Sequence, residues 1–253
     1  MTEISAQKIP MRAVAWLGFY GLVLVAWVAI YDMARGGDLI CSPDTVRLLP
    51  MGGFAALFPM WAVMMAAMML PTIIPTLRTY DTLSVAADTG IRGWVGIVLG
   101  YGIVWLAVSA GFAAVQVFAL NTFLIDLTGV VTSPWLAAAL FALAGFWQFT
   151  RVKETCQDAC LTPMQFFVSR WKPGFSGGVH MGAEIGITCV GCCWAIMGLA
   201  FVGGVMSLLW MGLATLFMVA EKLPEIGQHL RKPAGTLLIA ASLFMAARAL
   251  GIL

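Results

Sequence analysis

The chain has 253 residues, of which 61% are hydrophobic and only 10% charged, and its mean hydropathy is +0.94. A water-soluble domain carries about 25% charged residues, so the solvent for most of this chain is lipid. The net charge of +2, with no basic run interleaved with aromatics, argues against a nucleic-acid partner.

Five stretches are long enough and apolar enough to hold membrane spans: Ala13–Tyr31, Leu48–Leu77, Gly93–Ile125, Leu127–Thr150 and Ile185–Ala220. The first has no signal-peptide cleavage pattern and reads as a retained span over 13–31. Cys41 follows it, alone, on the far side of that span. A second span is expected over 52–74. It carries Met64/Met68 and Met65/Met69, two pairs at helical spacing, and then Pro71 and Pro75. Neither proline can donate a backbone hydrogen bond, so this end of the helix is expected to kink and open a cavity. The thioethers are soft ligands for Cu(I), although methionine also fills irregular gaps between helices.

A third span is expected over 94–119, where the small residues of Gly96–Gly111 suit close helix packing in lipid. The fourth, over 134–151, is at the short limit for a crossing. The connection 152–180 holds Cys156 and Cys160, which share one face if that part is helical. His180 and Glu184 stand four residues apart at the start of a fifth span, 181–203. A carboxylate at that depth is a functional candidate by default, as a ligand, a proton acceptor or a partner of His180. One turn further on comes the run Cys189-Val190-Gly191-Cys192-Cys193-Trp194. On a helix its three sulfurs cover about 100° of one face and can approach a common point.

Ile185–Ala220 would be about 54 Å long as one helix, against a hydrocarbon core of about 30 Å. Gly203-Gly204 tolerates the backbone angles of a tight turn, so this stretch is expected to split into spans 181–203 and 205–221, followed by 235–252. Charge supports the split. With seven spans, Lys8, Arg12, Arg78, Arg92, Arg151, Lys153, Arg170, Lys172, Lys222, Arg231 and Lys232 share one side, and Arg35, Arg47 and Arg248 the other. That is eleven against three; with six spans it is nine against five. The positive-inside rule therefore favours seven, with the N-terminus cytoplasmic and the C-terminus external, and keeps six as the alternative. The expected fold is all-α: a polytopic transmembrane helical bundle, with 1–253 as a single integral membrane domain.

Three segments distant in sequence thus bring soft or ionisable groups to a similar depth near the inner face. They are Met64, Met65, Met68 and Met69; Cys156 and Cys160; and His180, Glu184, Cys189, Cys192 and Cys193. Thiolates take Cu(I), zinc or iron–sulfur clusters. The alternative is that these cysteines pack as small apolar residues.

The chain resembles a bacterial family of predicted metal-binding integral membrane proteins. The resemblance lies in Trp61-x-x-Met64-x-x-Ala67-Met68-Met69-x-Pro71, in Lys153-x-x-Cys156-x-x-x-Cys160-x-x-Pro163, and in Cys189-x-Gly191-Cys192-Cys193-Trp194-x-x-Met197. Gly204, Met206 and Glu221-Lys222 continue it, so that it covers positions 50–225. It implies metal binding, with copper the preferred ion, and supplies no reaction.

The leading expectation is an inner-membrane protein that binds a soft metal ion, Cu(I) before zinc, for delivery, insertion or transport. Its partners would be the lipid bilayer and a soluble or membrane metalloprotein. One alternative is a membrane thiol–disulfide oxidoreductase, since Cys189-x-x-Cys192 has the spacing of a redox pair. Another is a structural or assembly subunit with packing cysteines. The chain has no Gly-x-Ser-x-Gly elbow, phosphate-binding loop or His-Glu-x-x-His motif, which argues against an ordinary hydrolase.

Overall fold

The structure, a computed structural model, describes residues 11–35, 53–86, 91–223 and 225–251. Cys41, Lys8 and Arg47 lie outside them. Among the described residues the secondary structure is all helical, apart from turns and one isolated bridge between Ile125 and Val131. The helices are α1 (Met11–Arg35), α2 (Phe54–Ala86), α3 (Arg92–Asn121), α4 (Pro134–Trp147), α5 (Arg151–Leu161), α6 (Pro163–Arg170), α7 (Gly174–Gly198), α8 (Ala200–Gly203), α9 (Leu208–Ala220) and α10 (Gly227–Ala249).

Each expected span falls on a helix, but the bounds differ, α2 above all, which runs on through Pro71 and Pro75 to Ala86 where an end near 74 is expected. Not each helix is long or apolar enough to cross a bilayer. Four are: α1, α2, α3 and the run 174–203. A fifth follows if α4 and α5 form one bent span. The shortfall against seven has local causes. Helix α9 has 13 residues, about 20 Å of rise. Helix α10 starts earlier than expected and includes Arg231 and Lys232 along with Arg248.

The ends of these helices follow from their sequences. Pro134 and Pro163 occupy first-turn positions, where a missing N–H costs nothing. Helix α4 tightens at its end, where Gln148, Phe149 and Thr150 donate to carbonyls three residues back. Thr150 then caps α5 by accepting from the Lys153 N–H at 3.2 Å, and the axis bends by 60°. At Gly204 φ is +94°, a left-handed region that suits glycine. Ser207 then caps α9. The long apolar run therefore breaks where its glycine pair predicts. In the α3–α4 connection, Asp126 accepts from the Thr128 hydroxyl and from the Thr128 and Val130 N–H groups. These bonds, the hydroxyl first, hold its carboxyl below the usual range.

Helix α7 is the centre of the assembly, and its most extensive partner is α3. The contact is built from facing glycines. A methyl group on Gly96 or Gly100 would strike the backbone of α7 at Phe175–Val179, and one on Gly178 or Gly182 would strike Gly93 or Ile97. Without side chains at these points the two backbones close on each other, the usual device where lipid supplies no hydrophobic driving force between helices. Helix α2 packs on α3 and α1, α5 packs on α7, and α10 packs on α4. The opposite surfaces carry exposed apolar residues, such as Leu17, Leu24 and Val25 on α1 and Leu213 and Leu216 on α9.

Candidate metal centre

The α3–α7 glycine seam places Tyr101 of α3 beside the cysteine run of α7. Cys189, Cys192 and Cys193 are all buried. Tyr101 Oη lies 3.2 Å from Cys189 Sγ and 3.1 Å from Thr72 Oγ1 of α2. The Cys193 thiol donates to the Cys189 carbonyl at 3.0 Å and approaches Met69 Sδ to 3.9 Å. Cys189 and Cys193 stand one helical turn apart on the same face of α7. Two thiols of α7 and one thioether of α2 therefore meet in one buried spot.

A cation sits against them. Lys222, just beyond α9, is buried, and its Nζ donates to Cys189 Sγ at 2.8 Å and to Thr72 Oγ1 at 3.0 Å. A second buried cation lies one layer away: Lys153 Nζ donates to Glu221 Oε2 and to the Cys192 carbonyl, both at 2.7 Å. Two ammonium groups and one carboxylate leave a positive charge over. Of the two acceptors in contact with Lys222, only the Cys189 sulfur can carry the balancing negative charge, and burying an ion without a partner is costly.

Lys222 is held in the interior by its neighbours. Gln157 of α5 donates to the Glu221 and Gly227 carbonyls at 3.1 and 2.9 Å. A side chain on Gly227 would strike the Glu221 backbone. Gln157 thereby ties the backbone on either side of Lys222 to α5, and the Lys222 side chain is buried.

The other expected site residues are distributed around this cluster. Met64, Met65 and Met68 are buried with Met69 on α2. Met65 and Met69 line an apolar cavity of about 270 Å³ with Tyr101 and Trp105. Cys156, half-buried on α5, lies over Gly191, where its sulfur fills the room a side chain would need. Cys160 borders a cavity of about 20 Å³ with Thr76, Ile185 and Thr188. Glu184 and His180 are not at the sulfur cluster. Glu184 accepts from Arg170 at 2.8 Å and pairs with His180 at 2.9 Å, on the rim of an outer cavity of about 560 Å³ that Asp158 also lines. Ala159, Phe166 and Thr188 line both this cavity and the small one at Cys160.

Among the described residues no three His, Cys, Asp or Glu side chains converge as a ready metal cage. The donors that do converge are two thiols and a thioether, with no carboxylate or imidazole. That set fits a soft ion content with two or three sulfur ligands, Cu(I) above all. It does not fit a hard ion that demands oxygen. Sequence reasoning missed Lys222, Tyr101 and Thr72 as neighbours of the sulfurs. The signal available was the pair Glu221-Lys222 at the end of an apolar run, which read as a loop charge.

Residues 58–245 match a family described as PpoB2, copper chaperone. No curated protein and no solved structure matches the chain.

Proposed function

The chain belongs to the PpoB2 copper chaperone family, and on that premise we propose that it is a membrane-embedded carrier that takes up Cu(I) at Cys189, Cys193 and Met69 and releases it to a metalloprotein partner. The observation that carries this reading is the meeting of the Cys193 and Met69 sulfurs at 3.9 Å, one turn from Cys189, from two helices more than a hundred residues apart in sequence. A chaperone has to release its ion as well as bind it. A thioether is a weaker ligand than a thiolate, and a site without a closed cage exchanges ligands readily.

Cys156, Cys160 and Cys192 complete the pool of thiols. Cys160 borders the small cavity that shares Ala159, Phe166 and Thr188 with the outer one, which suits a first soft contact for an ion arriving from there. Met64, Met65 and Met68 continue the thioether row along α2. Glu184, with Asp158, lines the outer cavity and is paired to Arg170 and His180, which suits a weak outer contact for a cation and not a holding site. We take the chain as one inner-membrane domain with the N-terminus cytoplasmic, so that α9 and α10 complete seven crossings and the cluster faces the cytoplasmic half.

The test is anaerobic loading of the purified full chain with Cu(I), with copper counted per chain after removal of loosely bound ion. Close to one ion per chain is expected, falling to background in Cys189→Ser/Cys193→Ser and weakening at least about tenfold in Met69→Leu. Retention of copper by the double serine variant would place the site elsewhere. Retention of none by the native chain would remove the proposal.

A further inference from the structure

We propose that Lys222 is the fixed counter-cation of the metal centre and makes it select monovalent over divalent soft ions; this rests on the copper reading above. The argument is one of charge. Lys222 Nζ is buried, 2.8 Å from Cys189 Sγ, and pinned there by the turn that Gln157 clamps. Among the described residues, the buried carboxylate beside it is Glu221, which is bonded to Lys153. Whatever binds the two sulfurs must therefore leave a negative charge for Lys222, because an uncompensated ion in this setting is strongly disfavoured.

A monovalent ion satisfies that condition. Cu(I) forms one bond to the Cys189 sulfur and one to the Cys193 sulfur. Cys193 loses its proton to solvent and no electron moves. The complex of two thiolates with Cu(I) carries one negative charge, and with Lys222 the sum is zero. A divalent ion on the same two thiolates is neutral, and Lys222 is left as a buried unpaired charge. Thiolate softness alone does not make this distinction, since zinc and copper both accept sulfur. The fixed position of the ammonium does.

Lys222 is thus a specificity-determining residue, and its signature is a ratio of affinities. The full chain is titrated anaerobically, by chelator competition, with Ag(I) and Cu(I) as monovalent probes and with Cd(II) and Zn(II) as divalent ones. The native chain should prefer Ag(I) to Cd(II), although both ions favour sulfur. Lys222→Gln, which keeps hydrogen-bond donors without the charge, and Lys222→Met should each shift the Ag(I)-to-Cd(II) ratio toward Cd(II) by at least about tenfold. Lys222→Arg should keep the native ratio. A merely structural role would weaken all four ions together and leave the ratio in place. Native protein that binds Cd(II) as tightly as Ag(I) would overturn the inference without any variant, and so would neutral variants with an unchanged ratio. Native protein that binds neither monovalent ion fails the copper reading itself, a different result from a native ratio that does not respond to Lys222.

Discussion

At the scale of single residues, the buried ionic groups are the most exposed to perturbation. Lys153 and Glu221 are almost wholly inaccessible and bonded at 2.7 Å. Removing one member leaves the other charged and stranded, which costs more than the intact pair contributes. Glu221→Gln should therefore destabilise the protein by about 3–5 kcal/mol. The double change Lys153→Met/Glu221→Met should recover most of that, because the packing volume stays and no lone charge remains. Thermal unfolding in detergent measures both, and a loss below about 1 kcal/mol for Glu221→Gln would show that the pair is not a desolvated ion pair. These residues also mark where sequence reasoning stopped. Cys189, Cys192, Cys193 and Met69 were legible as candidates, because sulfur at helical spacing in an apolar run is a chemical pattern. Lys222 was counted as a loop charge, because a lysine at the end of a span usually reaches outward to water. Here Gln157 and the Gly227 turn hold Lys222 in place, and neither constraint has a local signature.

At the scale of helices, α3 against α7 decides whether the site exists. Tyr101 reaches Cys189 only because Gly96, Gly100, Gly178 and Gly182 let two backbones touch. Gly100→Ala sets a methyl group against the Val179 carbonyl and should force the helices apart, at a cost of about 1–3 kcal/mol. Gly102, on the same helix, has open space at the corresponding point, and Gly102→Ala should be neutral or stabilising by up to about 1 kcal/mol. The pair is compared by thermal unfolding, and equal effects from both would mean that the seam is not close-packed. The small-residue content of 96–111 was readable as a packing stretch. Which glycine meets which carbonyl was not, since Gly100 and Gly102 look alike in sequence and differ only in the face they present.

At the scale of the whole molecule, the open quantity is the number of crossings. Among the described residues, length and composition alone give four helices that qualify, or five with the bent pair. The basic residues favour seven, which puts the two chain ends on opposite sides of the membrane. A reporter active only outside the cytoplasm, fused after Leu253, should be active, and the same reporter placed before Met1 should be silent. Activity at neither end or at both would indicate an even number of spans. The short α9 and the charged start of α10 make this the proper place for the test, because they are the segments whose burial in lipid depends on their neighbours.

The amino-acid sequence by itself determined the apolar character, the helices and the chemistry of the candidate ligands. Apolar length dictates helices in lipid, glycine and proline set where they stop, and sulfur is soft wherever it sits. The tertiary structure decided which sulfurs meet, that Glu184 and its partner His180 stand apart from them, and that a lysine lies against Cys189. Those outcomes depend on contacts between residues tens to more than a hundred positions apart. They are fixed by backbone approach at the glycine seam and by the balance of buried charge, and neither quantity is a property of any local stretch of chain.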